Sequence, residues 1–401
     1  MEAPEKKQHE ALGLGWANRL SRRALGVPVY LAFLILLLGG LEGTARVIGA
    51  RSRNPTLHMV LYDYVRLARN DVRRFRFVPD AALPYRLKPG FEFVSPDGLE
   101  ITWHNASGFR ANHEFMPREE GTLRIICLGG STTYGVSVVD NASTYPAVLE
   151  RLLNSDSRRP AGWERVEVLN LGVGGYTSRE VLTNLKLHGL PLEPDIVLIQ
   201  CGMNDVAPRF YANFDSNYTH FRKALQPLER GPFARVAFHS HLLLISGWAL
   251  GVFEPLTLQS RSQYPMPPVE QAVANLSKNG TEAYRRNLAE AIDLAKEAGA
   301  HVGLLTQAHR FSSVFRAQDK DMRVLDEAYE KGLVDHNEVM RDLAAKAEAV
   351  LVDLERDMPG AQPYFHDPIH MTEAGNVVKA RLIAEAIQHA LPTWGAGSIP
   401  R

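Results

Sequence analysis

The chain has 401 residues, 45% of them apolar and 22% charged, the balance of an ordinary globular protein rather than of a disordered or fibrous one. Its 45 basic and 45 acidic side chains cancel, which argues against a nucleic-acid binder built on a basic face. The two cysteines, Cys127 and Cys201, stand in apolar runs and read as buried small side chains; two are too few for a disulfide framework or a zinc site.

Residues 1–23 form a basic tail. The uncharged stretch 24–41, which contains the run VYLAFLILLLGGL, follows directly on Arg19, Arg22 and Arg23. At about 18 residues it is near the lower limit for a spanning helix. Three readings stand side by side: a membrane anchor, a secretory signal cleaved near Gly43 and Ala45, and a buried core helix. The anchor is favoured, because the stretch has no polar face and its preceding tail is long for a signal. Lys6, Lys7, Arg19, Arg22 and Arg23 before it outnumber Arg46, Arg51 and Arg53 after it. That bias places the tail inside and the large domain outside.

Residues 42–80 read as a juxtamembrane helical linker. Arg66, Arg69, Arg73, Arg74 and Arg76 stand there among apolar residues such as Val60, Leu61, Tyr64 and Val65, a pattern that suits either a helix resting on anionic lipid or a solvated linker helix. Residues 81–121 form an accessory region, in which FEFVS and LEITWHN flank Pro96-Asp97-Gly98 and predict a β-hairpin.

From residue 122 to 391 short apolar runs alternate with amphipathic stretches. LRIICLG, RVEVLNLG, PDIVLIQCG, AHVGLLTQ and EAVLVDL are the five predicted strands, nearly continuous in apolar residues as parallel strands covered on both faces are. Thr372 to Leu391 closes the domain as a helix. The alternation predicts a doubly wound three-layer α/β/α sandwich, with the ligand site beyond the carboxyl ends of the strands. Residues 206–280 interrupt it as an insertion rich in aromatics (Phe210, Tyr211, Phe214, Tyr218, Phe221, Trp248). Its HLLLISGWALGVF run is too short to span a membrane and reads as a packed or interfacial helix. Residues 392–401 are a tail.

The chemistry-bearing residues gather at the predicted strand ends. After the first strand comes Gly129-Gly130-Ser131-Thr132-Thr133-Tyr134-Gly135. A phosphate loop would need Lys where Val136 stands, and an α/β-hydrolase elbow would need Gly where Thr133 stands. A nucleophilic serine at a strand-to-helix turn fits. The second strand ends in Asn170-Leu171-Gly172-Val173-Gly174-Gly175-Tyr176, either a plain glycine turn or a source of a backbone N–H for an oxyanion. The third ends in Gly202-Met203-Asn204-Asp205, where the Asn either caps a helix or donates to the same oxyanion. Asp367-Pro368-Ile369-His370 opens the last helix and can supply a base and the carboxylate that orients it. Metal binding by His366 and His370 is the rival, and Pro368 disfavours the regular helix it requires.

Taken in order, these four blocks resemble those of the SGNH/GDSL hydrolases over residues 122–391. The first block departs in having Gly130 where the family usually has Asp, as in a membrane-attached subgroup that Leu83-Pro84-Tyr85-Arg86-Leu87 and Gly108-Phe109-Arg110 also resemble. The resemblance implies an SGNH fold with a five-stranded parallel flavodoxin-like sheet. It further implies Ser131 as nucleophile, His370 as general base and Asp367 as its orienting carboxylate. The Ser131 amide, the Gly175 amide (Gly174 being the alternative) and the Asn204 side chain would form the oxyanion hole. Neither cofactor nor metal is implied. The expected activity is hydrolysis of O-acetyl or short acyl esters on an envelope carbohydrate or lipid, with the membrane as partner through residues 24–41. An O-acyltransferase and a non-catalytic envelope binding protein are the alternatives.

Overall fold

The computed structural model describes residues 6–52, several positions between 54 and 64, and residues 76–94, 101–222, 237–253, 266–311, 320–360 and 362–394. Arg66, Arg69, Arg73, Arg74, the Pro96-Asp97-Gly98 turn and residues 395–401 lie outside these. The described residues of 1–72 and 228–258 form one compact unit, and those of 73–227 and 259–401 form another.

The first unit begins with helix α1 (Lys6–Arg51), which continues to both sides of the expected 24–41 stretch. Its portion Pro28–Arg51 is long and apolar enough to cross a membrane. The side chains from Val29 to Leu38 are exposed, Phe33 at 62% and Leu36 at 75%, so the core-helix reading does not hold.

In the second unit, β1 (Phe77–Val78) pairs antiparallel with β2 (Arg86–Leu87), and β3 (Glu92–Val94) with β4 (Ile101–Trp103). The latter pairing joins parts of the two runs FEFVS and LEITWHN. Two-residue strands such as β1 and β2 are too short to show an alternating pattern and were not legible in the sequence.

The main sheet follows in chain order: β5 (Thr122–Gly129), α2 (Ser131–Tyr134), α3 (Tyr145–Leu153), β6 (Arg165–Gly172), α4 (Ser178–Asn184), β7 (Ile196–Gln200) and α5 (Met203–Val206). After the inserted α6 (His241–Ala249) and α7 (Val269–Lys278) come α8 (Glu282–Glu297), β8 (His301–Leu305), α9 (Lys320–Lys346), β9 (Val350–Val352) and α10 (Glu373–Ala390). The five strands are parallel in the order β6-β5-β7-β8-β9, the flavodoxin-like arrangement. Side chains alternate between its faces. Leu123, Ile125 and Cys127 enter one apolar cluster with Leu149 of α3 and Ile383 of α10. Ile126 and Leu128 enter the other with Val181 of α4, Leu288 of α8 and Met340 of α9. The result is the expected three-layer sandwich.

The insertion divides. Phe210, Tyr211 and Phe221 are buried with Leu276, Leu325 and Leu333 in the sheet-bearing unit, whereas α6 belongs to the unit that contains α1.

Candidate active site

In this strand order β5 is flanked by β6 and β7, and the crevice at their carboxyl ends is where doubly wound sheets place ligands. Gly130 and Ser131 leave β5 there, Gly174 and Gly175 leave β6, and Asn204 leaves β7. Gly130 lies close to the third-strand block, since a Cβ at that position would lie 2.8 Å from Asn204 Nδ2. An aspartate there would displace the Asn204 amide.

Ser131 Oγ lies 2.7 Å from His370 Nε2, and His370 Nδ1 lies 2.6 Å from Asp367 Oδ2. With its proton on Nδ1, the imidazole donates to the carboxylate and accepts from the serine hydroxyl. The other Asp367 oxygen accepts the backbone N–H groups of Ile369 and His370 at 2.9 and 2.8 Å. Burial works against the Asp367 charge, but these bonds and the neighbouring imidazole outweigh it and lower the carboxyl to about 2.

The Asp-to-His segment is a turn ahead of the last helix rather than its first turn. Helix α10 starts at Glu373, capped by the Thr372 hydroxyl, and the His366 N–H donates to the His370 carbonyl at 2.8 Å. His366 and His370 therefore do not share a helix face, as a zinc-binding helix would require. Gln307, just beyond β8, joins this turn to Thr132, the residue after Ser131. Its Nε2 donates to the Ile369 carbonyl and its Oε1 accepts from Thr132 Oγ1.

The three expected oxyanion donors gather at the same crevice. Neither the Ser131 N–H nor the Gly175 N–H has a hydrogen-bond acceptor among the described residues. Asn204 Nδ2 gives one hydrogen to the Tyr176 carbonyl at 3.0 Å and has a second to give. Gly175 adopts φ +87°, which only glycine reaches without strain.

Two residues behind this loop were missed in the sequence. Tyr85 Oη donates to the Gly174 carbonyl at 2.9 Å. Arg222 donates to Tyr85 Oη at 2.6 Å and to the Gly175 carbonyl. In a trans peptide the C=O and N–H point to opposite sides, so fixing the Gly174 carbonyl fixes the Gly175 N–H facing away from Tyr85. The signal for Tyr85 was the aromatic within LPYRL; Arg222 carried none.

Asp205 sits under the loop, fully buried, taking Ser178 N–H and Ser178 Oγ at 3.0 and 2.5 Å. Burial raises its carboxyl to about 7, against the lowering pull of the Ser178 and Tyr218 hydrogen bonds.

A family model described as GDSL-like lipase/acylhydrolase matches residues 127–378. None of the curated proteins compared with the chain matches it. Among solved structures it is similar to a lipase/acylhydrolase from Enterococcus faecalis, at 19% identity over 66% of this chain and 95% of that one, with a TM-score of 0.38. It is also similar to a variant of an acetyl xylan esterase from Geobacillus stearothermophilus, at 16% identity over 68% of this chain and 97% of that one, with a TM-score of 0.38.

Proposed function

The chain belongs to the GDSL-like lipase/acylhydrolase family, and from that premise we propose that it is a serine esterase acting on O-acetyl or short acyl esters of a cell-envelope carbohydrate or lipid. The observation that carries this reading is the hydrogen-bonded series Asp367–His370–Ser131. Ser131 Oγ attacks the ester carbonyl while His370 Nε2 takes its proton, and Asp367 stabilises the imidazolium that forms. The Ser131 and Gly175 N–H groups and the Asn204 amide hold the tetrahedral oxyanion. His370 returns the proton to the departing alcohol, leaving an acyl-serine that water, activated by the same histidine, hydrolyses. No cofactor enters these steps.

The Asp367 side chain is 39% exposed, so the series lies near the surface, where an ester on a large carrier can reach it. The apolar helix at Pro28–Arg51 supports a membrane anchor with the catalytic domain on the periplasmic or extracellular side of a bacterial membrane. Full-length protein in detergent, assayed on nitrophenyl esters of increasing chain length and on an acetylated polysaccharide, tests the reading. Turnover should be greatest with acetyl and release acetate from the polysaccharide. A preference for long chains contradicts the assigned substrate class. No turnover by folded protein favours the acyltransferase or the binding protein.

A further inference from the structure

Helix α1 changes character at its end. Val29 to Leu38 is exposed, but Ala45 is 4% exposed and Gly49 is buried. Glu42, Ala45 and Gly49 lie three and four residues apart, on one helical face. Helix α6 packs on that face. A Cβ on Gly49 would lie 2.7 Å from Leu61 Cδ1 and 3.6 Å from His241 Cδ2, so the bare backbone lets these chains meet. Tyr64 closes the unit, with its ring 5.0 Å from both Phe238 and Phe253.

The join is polar at one point. The first N–H groups of a helix lack acceptors within it, and Glu42 of α1 supplies them for α6. Its oxygens accept His241 N–H and Leu242 N–H, both at 3.0 Å, and Ser240 Oγ at 2.8 Å. Arg46 Nε completes the set at 2.9 Å. A carboxylate at the end of an apolar span is costly unless partnered, and here groups 198 to 200 residues away partner it.

Depth follows from length. Residues 24–41 span about 27 Å at ~1.5 Å per residue, against a hydrocarbon core of about 30 Å. Glu42 and the docked α6 thus fall at the boundary between acyl chains and headgroups. Helix α6 is HLLLISGWA, without a lysine, arginine, aspartate or glutamate. Beyond it Leu250 and Val252 are 79% and 66% exposed.

We propose that Ser240–Val252 is a membrane foot: it lies at the lipid boundary, is clamped to the N-terminal helix by Glu42, and presents Leu250 and Val252 to the acyl chains. This rests on the anchor reading above and extends it. The N-terminal helix is a retained part of the fold, because cleavage near Ala45 would remove Glu42 and uncap α6.

The test uses full-length protein in phosphatidylcholine–phosphatidylglycerol vesicles, carrying Val252→Cys or, as an aqueous control, Asp156→Cys, whose native side chain is fully exposed. Cys127 and Cys201 are buried and stay silent. An impermeant maleimide should label Val252→Cys about tenfold more slowly than the control, since thiolate is scarce in apolar surroundings. Adding Glu42→Ala should restore fast labelling, with nitrophenyl acetate turnover reporting that the chain is folded. Equal labelling of the two sites in membrane-bound protein overturns the foot. Unchanged protection in Glu42→Ala overturns the clamp. A soluble chain whose intact mass lacks the first helix overturns the anchor reading itself, a separate outcome.

Discussion

The Tyr85 hydroxyl donates to the Gly174 carbonyl across 2.9 Å, joining residues 89 apart in sequence. It holds a peptide whose other face carries the Gly175 N–H, the proposed oxyanion donor. Burial pushes the Tyr85 phenol above its ordinary value, against the pull of Arg222, so the hydroxyl keeps its proton at working pH.

Tyr85→Phe keeps the ring and removes only this hold. We expect kcat on nitrophenyl acetate to fall by about 10- to 100-fold with KM little changed, as for a misplaced rather than absent donor. Arg222 loses a partner, at a cost to stability of about 1–3 kcal/mol. Wild-type kcat in a folded Tyr85→Phe variant contradicts the positioning role.

Asn204→Ala removes a proposed donor outright. Turnover should fall by about 10²–10³, while thermal unfolding shows a folded protein. Full activity in that variant takes Asn204 out of the mechanism.

Asp367 is held at about 2, below its ordinary 3.8. A lowered folded-state value gives stability that is present above about pH 3.8 and lost as pH falls toward 2. Asp367→Asn should therefore have a lower Tm at neutral pH and a shallower loss of Tm on acidification. Melting curves as steeply acid-dependent as the wild type's argue against the Asp367–His370 pairing.

Asp205 has the opposite sign. Its carboxyl is raised from 3.8 to about 7, so its contribution is complete below about pH 3.8 and lost as pH rises through about 7. Asp205→Asn, which cannot ionise, should flatten the decline in Tm between about pH 4 and pH 7. An unchanged decline means that the carboxyl is not the titrating group.

What the sequence could reveal follows from how local each signal is. Strands β5 to β9 were legible because each is an uninterrupted apolar run, and the four chemical blocks because each ends a strand or precedes a helix. Ser131, His370 and Asp367 meet as the blocks imply, although Pro368 and the Thr372 cap place the Asp-to-His segment in a turn before α10. The clamp of Tyr85 and Arg222 on the Gly174-Gly175 loop was invisible, because contacts between residues 89 and 47 apart leave no periodic trace. The insertion reads as one aromatic stretch, yet Phe210 and Trp248 belong to different units, since an aromatic side chain announces burial without naming its partner.

Ser131 is the proposed nucleophile. The direct measurement compares turnover of nitrophenyl acetate by full-length wild type and Ser131→Ala, with melting curves showing both folded. Ser131→Ala should lose at least ~10³-fold, as when the attacking group is absent. Turnover by Ser131→Ala equal to that of the wild type would contradict it.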